Sequence, residues 1–117
     1  MYSSDVKRCA QQIVKEFFND ILIGEFQIPS LKEMEFFLKE NIDYAFDEYQ
    51  ATKKIVHSHP HWSKEQISDE LERQKMRYEN QYRANLKTAA QNAVEEVENL
   101  VRSLRDAIKA WKISNLD

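Results

Sequence analysis

Ten apolar or aromatic residues in the second half of the chain recur at spacings of four, four and three, three times over without a break. They are Tyr78, Tyr82, Leu86, Ala89, Ala93, Val97, Leu100, Leu104, Ile108 and Trp111. Eleven residues per three turns is 3.67 per turn, close to the 3.6 of a straight α-helix and above the 3.5 of a heptad coil. One helix can therefore hold all ten side chains on a single stripe. A helix this long and amphipathic is not stable alone in water, so the stripe must meet another apolar surface.

The spacing predicts an all-α fold of three helices in one domain over residues 1–117. The first runs over about 4–23, with Val6, Cys9, Ala10, Ile13, Val14, Phe17, Phe18 and Ile21 on a broad apolar face. Gly24, the only glycine, stands where a left-handed C-terminal residue is wanted. The second runs over about 31–57, opening at the capping box Ser30-Leu31-Lys32-Glu33 and fading before Pro60. Leu31, Met34, Leu38, Ile42, Ala45, Phe46 and Tyr49 line its inner face. The third runs over about 64–113, roughly 75 Å of helix at 1.5 Å per residue. Ser63 and Gln66 form its capping box, and Trp62 and Ile67 a hydrophobic staple. The Asn-, Thr- and Ala-rich stretch from Asn85 to Asn92 is where this helix is most open to bending.

Charge sets the pairing. Residues 15–50 carry nine acidic and three basic side chains, and residues 71–90 carry five basic and two acidic. Folding back at Pro60 makes helices two and three an antiparallel hairpin, with Asp47 near Arg73, Asp43 near Arg77 and Glu33 near Lys87. Each exposed pair is worth at most about 1 kcal/mol, so the charges select register more than stability. The second helix is only half as long as the third, and Phe36, Phe37 and Phe46 cannot all face inward on a hairpin. A second copy of the chain would complete the bundle. The residues expected at that interface are Leu86, Ala93, Val97, Leu100, Leu104, Ile108 and Trp111.

Chemistry-bearing patterns are sparse. His57, His59 and His61 alternate beside Pro60, and imidazoles in an extended strip suit Zn, Cu or Ni. With no cysteine or further histidine nearby, a polar loop is the simpler reading, and no metal or cofactor is expected. Glu40, Asp43, Asp47 and Glu48 form an acidic strip on helix two. No Glu-x-x-His motif accompanies it, so a di-iron bundle is not indicated. Arg73, Lys75, Arg77, Arg83 and Lys87 surround Tyr78 and Tyr82, a combination that can track a nucleic acid backbone and stack bases. The tyrosines lie on the inner stripe, however, and the net charge of −3 opposes nonspecific binding. Nucleic acid is therefore not the expected partner. Cys9 shares the apolar face with Ala10 and Ile13 and reads as a core thiol.

No Gly-rich phosphate loop or Ser-His-Asp arrangement occurs, and an enzyme is not expected. The start, MYSSDVKR, does not read as a signal peptide. The longest apolar run is Ile21-Leu22-Ile23, too short to span a membrane. The expected function is a cytosolic, homodimeric protein-interaction module: an adaptor, assembly factor or regulator with an unidentified protein partner. An inhibitor using the acidic strip to occupy the basic site of a nucleic-acid-binding enzyme is the second reading. A nucleic-acid binder using residues 73–87 is the third.

Overall fold

The long stripe does form one helix. The structure, a computed structural model, describes residues 2–41 and 44–116. Every regular element among them is helical: α1 Tyr2–Glu16, α2 Phe18–Ile23, α3 Leu31–Asn41, α4 Glu48–Ser58 and α5 Lys64–Leu116. Helix α5 is unbroken through Asn85–Asn92. Its N-terminus carries both halves of the capping box. The Gln66 N–H donates to Ser63 Oγ at 3.2 Å, and the Ser63 N–H donates to Gln66 Oε1 at 2.9 Å.

Five helices stand where three were expected. The segment 4–23 is interrupted at Phe17, where ψ opens to 22°. The hydrogen-bond ladder persists there, with the Phe17 N–H donating to the Ile13 carbonyl and the Ile21 N–H to the Phe17 carbonyl. This is a local distortion beside a ring contact of Phe17 with Phe26 at 5.6 Å. Gly24 ends α2 at φ 78°. Its N–H donates to the Ile21 carbonyl and the Glu25 N–H to the Asp20 carbonyl. These are the two bonds of a Schellman motif, which needs the left-handed residue that glycine supplies at least cost.

The expected helix over 31–57 is likewise two. Helix α3 starts where expected, and the Glu33 N–H donates to Ser30 Oγ at 3.3 Å, one of the two bonds of the expected capping box. It ends at Asn41, whose side-chain amide donates to the Phe37 carbonyl. Residues 44–47 are non-helical, and α4 restarts on Asp47, whose Oδ1 accepts the Gln50 N–H at 3.0 Å. Aromatic contacts reward the break. Tyr44 meets Tyr78 and Tyr82 edge-on at 5.4 and 5.2 Å, and Phe46 meets Tyr78 at 5.5 Å. Such pairs contribute about 0.5–1.5 kcal/mol each beyond their burial. Folding back at Pro60 in continuous helix would set Tyr44 opposite position 76. Non-helical backbone can advance further per residue than the roughly 1.5 Å of a helix, which lets Tyr44 reach further along α5.

Two compact units result. One comprises α1, α2, α3 and α5 from Leu86 onward. Its core is Val6, Cys9, Ala10 and Ile13 of α1, Ile21 of α2, Met34 and Leu38 of α3, and Leu86, Ala89, Ala90, Ala93, Val97 and Val101 of α5. The three alanines on α5 leave room for close approach of neighbouring helices. The other unit comprises the residues from Tyr44, α4 and α5 through Asn85. Ile55 is its one buried residue among those described.

This distribution predicts where substitutions matter. Leu38 is 2% exposed and Met76 is 61% exposed. Urea denaturation of Leu38→Ala should show a loss of about 2–5 kcal/mol. Met76→Ala should stay within about 0.5 kcal/mol of the parent chain.

Candidate interaction surface

The residues expected to face a partner divide by depth. Leu86, Ala93 and Val97 are buried within their own unit, so they have no surface left to offer. Leu100, Leu104 and Ile108 are half-buried, and Trp111 is 65% exposed. The stripe is thus covered along its middle and open toward its C-terminal end. There an open groove of about 350 Å³ is lined by Leu22 of α2 and by Ala107, Ile108, Trp111 and Lys112 of α5. Nearly all of that lining is apolar, and an engineered apolar cavity of about 150 Å³ already admits benzene. Arg105, Lys109 and Lys112 follow at spacings of four and three on one edge of α5 beside it, all exposed.

Of the two apolar residues outside α5 that bear on this surface, Leu22 escapes the sequence pattern and Phe36 is the one of the three phenylalanines that faces outward most. Leu22 adjoins a stripe already filled by Phe17, Phe18 and Ile21, and the run Ile21-Leu22-Ile23 holds more apolar residues than one face can bury. Phe36 stands opposite Met34 and Leu38 on α3 and is 67% exposed. Its placement on the polar side of the helix was readable from the period of 3.6.

The acidic strip does not lie on a single helix. Glu40 is exposed near the end of α3, while Asp47 and Glu48 open α4 in the other unit. Asp43 lies outside the described residues, as does Ile42. Asp47 caps its own helix, and Arg73 pairs with Glu70 at 3.2 Å, so the expected Asp47–Arg73 pair is replaced by local ones. Arg77 also reaches Glu70, at 3.3 Å. These are the ion pairs among the described residues, so the expected Glu33–Lys87 pair does not form. The side-chain amide of Gln74 and the two arginines hold the Glu70 carboxyl below its usual range.

Around Tyr78 and Tyr82 the aromatic edges and faces are engaged by Tyr44 and Phe46. Desolvation, with the Glu79 carboxylate adding, holds the Tyr44 hydroxyl above its ordinary value. Burial likewise pushes the Cys9 thiol up, which disfavours the nucleophilic thiolate. Among the described residues no helix is long and apolar enough to cross a membrane.

His57, His59 and His61 are exposed, and His59 stacks on Trp62 with centroids 3.6 Å apart and planes 4° from parallel. Among the described residues no three His, Cys, Asp or Glu side chains are grouped to hold a metal ion. Titration calorimetry with zinc, copper or nickel at neutral pH should show no sub-micromolar site. Tight binding lost on His59→Ala would establish a metal role for the loop.

Comparison with protein-family models, with curated proteins and with solved structures finds no match.

Proposed function

We propose that this protein is a non-catalytic interaction module, a small helical adaptor, assembly factor or regulator, which buries the Leu22–Trp111 groove against a protein partner. The observation that carries the reading is Trp111, a large aromatic left 65% exposed at the mouth of an apolar groove. Tryptophan is among the residues enriched at the energetic centres of protein interfaces, where an apolar core is ringed by polar residues. The reading keeps the open end of the α5 stripe as the partner surface and drops its buried middle. A cytosolic setting belongs to the same proposal, since a lone buried cysteine suits a reducing compartment.

The two rival readings lose support. An inhibitor docking on a basic site needs free carboxylates, and Asp47 is engaged in capping its own helix. A nucleic-acid binder needs free arginines and open aromatic faces, and Arg73 and Arg77 are both drawn to Glu70.

The test is photocrosslinking in the native cell. Trp111 is replaced by p-benzoyl-phenylalanine, and Met76, equally exposed on the other unit, serves as the control position. Protein adducts at 111, identified by mass spectrometry and absent at 76, are expected. Equal labelling at the two positions, or adducts to nucleic acid alone, would sink the proposal.

A further inference from the structure

We infer that the occupant of the groove is Phe36 from a second copy of this chain, in a reciprocal pair; the inference rests on reading the groove as a protein-binding surface. Helix α3 buries Met34 and Leu38, and Phe36 points the other way, 67% exposed. A phenylalanine held in water on a well-formed helix is the shape and chemistry an apolar groove of about 350 Å³ accepts.

The charges beside each element match in sign and in spacing. Glu33 and Glu40 lie on one edge of α3, three and four residues from Phe36 and seven from each other. Arg105 and Lys112 lie on the edge of α5 beside Ile108 and Trp111, also seven apart, with Lys109 between. Seven helical residues rise about 10.5 Å in both cases, so two acidic groups can face two basic ones while the ring enters between them. Among the described residues none of these five side chains has an ion-pair partner within the chain. Lys32 and Lys39 line the opposite edge of α3. Turning that helix over would set lysines against Arg105 and Lys112, so like-charge repulsion selects one orientation. Because α3 and the groove belong to one unit, each copy offers both halves, and a two-fold pair makes the contact twice.

Sedimentation velocity on the full chain tests this. At high micromolar concentration the parent chain should run at twice 14.0 kDa. Phe36→Ala should raise the dissociation constant about tenfold or more. The double reversal Glu33→Lys/Glu40→Lys should stay monomeric, as should Arg105→Glu/Lys112→Glu. An equal mixture of the two should dimerise, because both contacts are then again between opposite charges. All five positions are exposed, and unchanged circular dichroism checks that each variant folds. A parent chain monomeric across the series, or reversals that dimerise like the parent, overturns the self-pairing. If a monomeric chain still gives adducts to a different protein from position 111, the groove is an interaction surface and only the second copy is wrong. Co-sedimentation of the monomer with phosphatidylserine vesicles would make the occupant an anionic lipid surface and overturn it too.

Discussion

Everything in this fold depends on the apolar stripe of α5 finding cover. The helix is continuous, so its stripe cannot turn away from water by bending back on itself. Shorter elements must be brought to it. In the larger unit α1, α2 and α3 share a core with α5 between Leu86 and Val101. In the smaller unit Tyr44 and Phe46 reach Tyr78 and Tyr82, and α4 contributes Ile55. Beyond Val101 the cover thins: Leu104 and Ile108 are half-buried and Trp111 is 65% exposed. The candidate site is the part of the stripe that the rest of the chain does not reach.

The helical class, the extent of α5 and three of the capping signals were legible because each rests on local rules. A serine followed three residues later by glutamate or glutamine, and a lone glycine after an apolar run, act within one turn. The break between α3 and α4 obeys a local rule as well: Asp47 followed by Gln50 is an N-terminal signature of the same kind as Ser63 with Gln66. It was masked because Ile42, Ala45, Phe46 and Tyr49 continue a helical period across it. A period records which residues want burial, and Phe46 is half-buried, but from a non-helical segment instead of a helix face. The distortion at Phe17 has no such signature, since neither proline nor glycine stands there and the backbone bonds continue through it.

The site was half legible for a related reason. Periodicity identified the ten residues of the stripe, and length arithmetic showed that helix two could not cover them all. Which of the ten remain open depends on where α1 and α2 end, and that is a tertiary fact. Hence Ala93 and Val97 are core while Trp111 is surface. Charge pairing is decided by locality in the same way. Counting acidic and basic residues over long windows assigned Asp47 to Arg73, whereas a helix N-terminus and a glutamate three residues away were nearer partners for each. Local partners win because exposed pairs contribute too little to hold distant groups against them.

The smaller unit then poses a question of stability that the larger one answers. One buried isoleucine and a cluster of tyrosines make a small core for a unit of about forty residues, and starting a helix is far costlier than extending one. The first turns of α5 need not start one. Where the stretch from Leu86 to Val101 is packed, each preceding residue extends an existing helix at propagation cost, up to the Ser63 capping box. The long charged helix is therefore economical rather than precarious: a single core fixes it, strong helix formers extend it both ways, and a cap or an exposed end finishes it. At the capped end the uncovered helix is polar and needs no partner. At the other end it carries Ile108, Trp111 and Ile113 past the reach of its own core, and it is there that a second protein has something to gain by binding.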